Sequence, residues 1–117
     1  MGMLERKMLH GNAETLVLAL LARQPQHGYQ LRKELATRSH HYFQFAFGRL
    51  YPLLRAMEQR RLVTSRLVKA GKSRERRNFI ITAKGLTELR TRKQKWRQFS
   101  DAMDHILKAK DTIRPLD

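Results

Sequence analysis

The stretch Gly48-Arg49-Leu50-Tyr51-Pro52-Leu53-Leu54-Arg55-Ala56-Met57-Glu58 decides how this chain folds, both by its own period and by the contrast with the segment after it. Leu50, Leu53, Leu54 and Met57 fall at i, i+3, i+4 and i+7, the stripe of a helix over residues 47–61. Proline lacks the N–H and is tolerated in a helix's first turn, so Pro52 places the regular start near residues 48–51. Arg49, Tyr51 and Arg55 then sit at or near the exposed N-terminal end. Beyond this helix the period changes. Leu62-Val63-Thr64 and Leu67-Val68 alternate and are rich in β-branched residues, and Asn78-Phe79-Ile80-Ile81-Thr82 is a second such run. Lys69-Ala70-Gly71-Lys72-Ser73 lies between them, which predicts a β-hairpin with a projecting basic loop.

Towards the N-terminus, Leu16, Val17, Leu20 and Leu21 share one helical face, broadened by Leu18 and Ala19. Asn12 is expected to cap this helix, with residues 1–12 either a loose lead-in or its ragged start. Gln24-Pro25-Gln26-His27-Gly28 reads as a polar turn. A second helix is expected over residues 29–38, with Leu31 and Leu35 facing in, and Ser39-His40-His41 connects it to the third. Towards the C-terminus, Leu86, Leu89, Trp96, Phe99, Met103, Ile106 and Leu107 recur at helical spacings. One helix over residues 83–108 would run about 39 Å, beyond the reach of so small a core. Its far apolar face needs a partner, and a second copy of the chain is the simplest one. Arg114-Pro115 begins a tail.

The expected class is therefore mainly α with a small β-hairpin: a winged helix-turn-helix over residues 1–82 and a dimerisation helix and tail over residues 83–117. In this layout the third helix enters the major groove of double-stranded DNA and the hairpin is the wing. Charge agrees. The 117 residues carry a formal net charge of +15, which favours a polyanionic partner. Residues 60–97 hold 14 basic side chains against Glu75 and Glu88, whereas residues 98–117 hold three against four acidic ones. The basic footprint thus has an edge. Lys72, Arg74 and Arg76 are the wing residues expected on phosphates. By alternation, Arg77 and Glu75 share the face of Phe79 and Ile81 if those two point inwards.

Other classes fall away. With no cysteine there is no disulfide, thiol nucleophile or Cys-ligated metal, and the chain suits a reducing cytoplasm. The apolar run at residues 13–22 is half a membrane span and is followed by Arg23-Gln24-Pro25, so neither a span nor a signal peptide is expected. His40 and His41 are adjacent, but no H-x-x-x-H pair or nearby carboxylate supports a metal site. No nucleophile–base arrangement or Gly-rich phosphate loop appears, so neither an enzyme nor a cofactor is expected.

Three motifs, in order, resemble the PadR-like family of transcriptional regulators. Leu16-Val17-Leu18-Ala19-Leu20-Leu21 with His27-Gly28-Tyr29-Gln30-Leu31 is similar to its opening L-x-x-L … G-Y-x-L. The 48–58 stretch is similar to G-T-L-Y-P-x-L-x-x-L-E, and Arg74 to Gly85, closing in Phe79-Ile80-Ile81-Thr82-Ala83-Lys84-Gly85, to R-x-x-Y-x-L-T-x-x-G. The resemblance spans residues 9–108. Arg49 stands where Thr is usual and Phe79 where Tyr is usual, which alters contacts at the first and removes a hydroxyl at the second. The resemblance implies a homodimer on operator DNA, usually a repressor, joined by the last helix, of the short branch without a further effector domain. Any small-molecule effector would sit at or near the dimer interface. Trp96, Phe99 and Met103 are the residues there; packing is their first reading, and two indoles near a two-fold axis admitting a flat apolar effector is the second. Two rivals remain: an architectural protein that binds nucleic acid without sequence preference, and an interaction module that keeps the shape without using it on DNA.

Overall fold

The computed structural model describes residues 2–71 and 74–116. α1 spans Met3–Leu21, β1 Gln26–His27, α2 Gly28–Arg38, α3 Phe47–Gln59, β2 Val63–Ala70, β3 Arg74–Ile81 and α4 Ala83–Leu107. The core joins Val17, Leu18 and Leu21 of α1, Leu31 and Leu35 of α2, and Leu50, Leu54 and Met57 of α3. Leu62, Val63 and Phe79 close it from the hairpin and Leu89 from α4.

Two expectations need correcting at the N-terminal side. Asn12 is not a cap. It lies in the middle of α1, and its Nδ2 donates to the Met8 carbonyl at 2.7 Å, the i−4 back-bond an interior Asn can make. The helix extends earlier because Leu9 and Ala13 join the core stripe. Gln26-His27 is also more than a turn. It pairs antiparallel with β3, Gln26 opposite Phe79 and His27 opposite Asn78, giving a three-stranded sheet of order β1-β3-β2. A two-residue strand is too short to show a period. Its buried Gln26 donates from Nε2 to the Leu20 carbonyl at the end of α1, at 3.3 Å.

α2 and α3 end alike. His41 N–H reaches the Ala36 carbonyl at 2.7 Å and His40 N–H the Thr37 carbonyl at 3.1 Å. Leu62 N–H reaches Met57 at 3.0 Å and Arg61 N–H reaches Glu58 at 2.9 Å. Both are Schellman closures, and both put a non-glycine residue in the left-handed region: His40 (φ 52°) and Arg61 (φ 62°), with His41 (φ 63°) alongside the first. The histidine pair therefore closes a helix. α3 starts at Phe47, slightly earlier than expected, so Pro52 falls in its second turn. The hydrogen bond it forfeits would go to the carbonyl of Gly48, an exposed residue that water can serve.

The hairpin strands run further than expected, pairing from Val63 with Ile81 out to Ala70 with Arg74. Most of the basic segment is therefore strand, and Gly71 (φ 81°) begins the turn. α4 starts on Thr82, whose hydroxyl accepts from Gly85 N–H at 3.0 Å. Of its 25 residues only Gly85 and Leu89 are buried. The outer half projects, and the molecule measures 66 × 30 × 21 Å. The radius of gyration is 17.7 Å, against about 13 Å for a compact chain of this length.

Gly85 seats α4. A Cβ there would lie 2.1 Å from the Leu62 carbonyl oxygen and 2.7 Å from Ile81 Cγ1. Gly11, inside α1, has nothing within 4 Å of such an atom. Gly85→Ala should cost about 1–3 kcal/mol through overpacking, whereas Gly11→Ala should add about 0.5–1 kcal/mol. Thermal unfolding checks both: the two melting temperatures should move in opposite directions.

Candidate nucleic-acid interface

α3 buries Leu50, Leu54 and Met57 completely, which turns Gly48, Pro52, Arg55, Ala56 and Gln59 to solvent. The centre of that exposed face carries almost no side chain. Arg49 and Arg55 stand at its two edges, about 120° apart around the axis at 100° per residue. Such a face lets the helix axis approach base edges closely, with apolar contact from Pro52 and Ala56 and hydrogen bonding from the flanking arginines. No acidic residue stands in the first turn of α3. Arg49 instead places a cation near the positive end of the helix dipole, an arrangement that a nearby anion relieves.

The two arginines have different neighbours. Arg49 Nη1 lies 2.9 Å from His10 Nε2 on α1, and His10 meets Phe45 edge-on. The Arg55 guanidinium lies over the Tyr51 ring, 5.9 Å from its centroid. Its Nη1 is 3.5 Å from the Tyr51 hydroxyl, the outer limit of a hydrogen bond. Tyr51 is half-buried, stacked on Phe47 and edge-on to Phe79 at 6.4 Å. It therefore ties α3 to the wing, and its hydroxyl end is steadied by Arg55.

On the wing, alternation sorts the basic residues as expected. Arg77 is half-buried on the face of Phe79 and donates to Ser65 Oγ at 3.0 Å, and Ser65 in turn donates to Glu58. Arg76 is exposed on the other face, with Nη1 3.1 Å from His27 Nε2. Arg74 opens β3. Lys72 lies outside the described residues. Tyr51, Arg55 and Arg76 thus border one side of the molecule, while Arg49 stands at the far edge of α3 beside α1.

Part of the basic surplus is spent inside the fold. Glu14 accepts from Arg60 at 2.9 Å and from Arg92 at 2.8 Å, and Arg92 also pairs with Glu88. Trp96, Phe99 and Met103 lie on the projecting part of α4, exposed by 48%, 59% and 43%. Trp96 and Phe99 are stacked at 6.1 Å. The indole also borders an apolar cleft of about 320 Å³ with Met8 and Leu16 of α1 and Tyr42 and Phe43 of the connector. Among the described residues no cluster of His, Asp or Glu could hold a metal ion, and no helix is long and apolar enough to cross a membrane.

Sequence reasoning missed His27. Its Nδ1 accepts the Gln30 N–H at 3.1 Å and so caps α2. A His directly before Gly28 at a helix start was the available signal, but His is an uncommon cap beside Ser, Thr, Asp and Asn. Burial first, and the neighbouring Arg76 second, hold its pKa below the ordinary 6.5.

The model of the transcriptional regulator PadR-like family matches residues 17–91. A PadR family transcriptional regulator from Eggerthella lenta is 30% identical with a TM-score of 0.80, covering 92% of this chain and 91% of that one. A PadR-like regulator from Bacillus cereus is 28% identical with a TM-score of 0.78, covering 89% and 99%. PadR of Bacillus subtilis, solved in complex with operator DNA, is 17% identical with a TM-score of 0.62, over 90% of this chain and 50% of that one. That last likeness is one of fold.

Because the folded chain favours neutral His27, the stability this contributes is complete above the unfolded pKa of about 6.5 and is lost as pH falls through it towards the lower folded value. The melting temperature of wild type minus that of His27→Asn should therefore decrease between about pH 7.5 and about pH 5.5. A difference that stays flat across this range would refute the assignment.

Proposed function

The chain belongs to the PadR-like family of transcriptional regulators, and from that premise we propose that it is a homodimeric repressor that binds a roughly palindromic operator. Its family is one of non-enzymatic regulators. The observation that carries the reading is the exposed, side-chain-poor face of α3, flanked by Arg49 and Arg55 and continued by Arg76 on the wing. The Bacillus subtilis relative solved with operator DNA supports the same use of the fold.

In this reading residues 1–82 hold the DNA and residues 83–117 hold the partner subunit. Wing contacts from Lys72, Arg74 and Arg76 to phosphates supply affinity and salt dependence. Arg49, Tyr51 and Arg55 at α3 supply discrimination between sequences. Half-sites lie one DNA turn apart or a multiple of it. The exposed Trp96, Phe99 and Met103 form the dimer interface, and a flat aromatic or apolar effector enters beside the indoles. Such a ligand relieves repression only by binding one pose of the two heads better than the other. The work is done in the cytoplasm.

A second reading has one observation in its favour. The bare centre of α3 offers few hydrogen-bonding groups to bases, as suits an architectural protein that binds without sequence preference.

Titration onto the DNA upstream of its own gene, against random duplex and at several salt concentrations, separates the two. The repressor reading expects a preference that survives moderate salt, and larger losses on the operator than on random duplex for Tyr51→Ala and Arg55→Ala. Equal losses on both sequences would remove these residues from base recognition. The dimer is tested separately: Phe99→Glu should yield monomers in sedimentation while leaving the helical signal of the winged helix in place. Aromatic compounds should quench the lone tryptophan if the effector site is there.

A further inference from the structure

The ring of His27 is held from both sides. Gln30 N–H donates to Nδ1 at 3.1 Å. A backbone amide only donates, so Nδ1 carries the lone pair, and in the neutral ring the proton is on Nε2. Nε2 faces Arg76 Nη1 at 3.1 Å. A guanidinium has five donors and no acceptor, so two N–H groups meet with no acceptor between them. Protonating the ring does not help: Nδ1–H would then oppose the Gln30 N–H, and a second cation would stand beside Arg76. Arg49 and His10 form the instructive contrast. With its proton on Nδ1, His10 can accept from Arg49 at Nε2, 2.9 Å away.

The His27–Arg76 pair borders a cleft of about 230 Å³, lined also by Tyr29, Phe47 and Tyr51. The cleft lies where the N-terminal ends of α2 and α3 meet β3. Tyr29 is stacked on His27, ring centroids 6.5 Å apart and planes 22° from parallel, which restrains the imidazole. With α3 in the major groove and the wing beyond it, the intervening DNA backbone runs past this cleft.

We propose that His27 Nε2–H and the Arg76 guanidinium clamp one phosphate oxygen of that backbone, the acceptor both donors need. The clamp rests on the DNA-binding reading above and adds a neutral contact that a survey of charges overlooks. It also assigns a DNA contact to the residue that caps α2, so the phosphate is registered against the start of that helix.

His27→Asn is the informative variant, because Asn is among the best N-caps and keeps an oxygen for the Gln30 amide while removing Nε2–H. Binding to a short random duplex is measured by fluorescence anisotropy across a salt series. His27→Asn should weaken binding about ten- to a hundredfold, as for one hydrogen bond to a charged group, with an unchanged salt slope. Arg76→Gln should weaken binding and lower the slope by about one. The double variant should lose little beyond Arg76→Gln, since both donors share one oxygen. Wild-type affinity in His27→Asn, or losses that multiply in the double variant, overturns the clamp and leaves DNA binding standing. A second readout uses no DNA. Inorganic phosphate should shift the ¹⁵N signal of His27 Nε2 in the wild type and not in Arg76→Gln. If the duplex fails to bind while this shift occurs, the operator reading falls and the phosphate site stands. If neither the shift nor the loss in His27→Asn occurs, the clamp is gone.

Discussion

The polar junction between the end of α3 and the start of α4 sets the geometry of everything else. Arg60, Arg61 and Leu62 present three carbonyls in succession. Lys84 Nζ takes the first at 2.9 Å, the Thr82 hydroxyl faces the second at 2.7 Å, and Thr82 N–H takes the third at 3.1 Å. The same hydroxyl then receives Gly85 N–H, and the missing side chain of Gly85 lets the Leu62 carbonyl come against the helix backbone. A helix anchored by its first turn in this way has its direction decided at the C-terminal end of α3. Glu14 adds a brace by holding Arg60 and Arg92 together from α1. The direction of α4 is therefore set against the C-terminal end of α3.

The wing is joined to α3 differently. Tyr51 lies between Phe47, Phe79 and the Arg55 guanidinium, so one ring aligns the α3 edge with β3. On the inward side, Arg77, Ser65 and Glu58 form a chain of hydrogen bonds between the hairpin and α3. These contacts use part of the basic surplus within the structure, while Arg76 stays exposed on the opposite face of β3.

Legibility tracked the length of each periodic signal. α2, α3 and α4 were readable because Leu31 and Leu35, Leu50 to Met57, and Leu86 to Leu107 repeat for long enough to define a face. The first half of α1 was not, because Gly11 and Asn12 look like punctuation and only Leu9 and Ala13 there reach the core. β1 was hidden because two residues have no period. In the site, alternation separated Arg76 from Arg77 correctly, since the pleat alone decides it. The Arg49–His10 and Arg76–His27 approaches link residues 39 and 49 positions apart, and no local pattern encodes them.

The projecting half of α4 turns the junction at Gly85 into the fulcrum of a lever. From Gly85 to Leu107, at 1.5 Å per residue, the arm is roughly 33 Å long, so a rotation of about 5° at its base moves the tip by about 3 Å, close to the 3.4 Å step between stacked base pairs. In the proposed dimer, a movement too small to disturb the packing of Leu89 would shift one reading head by a full base pair relative to the other. Operators that differ by a single inserted base pair would thus report an angular change too small to see at its source.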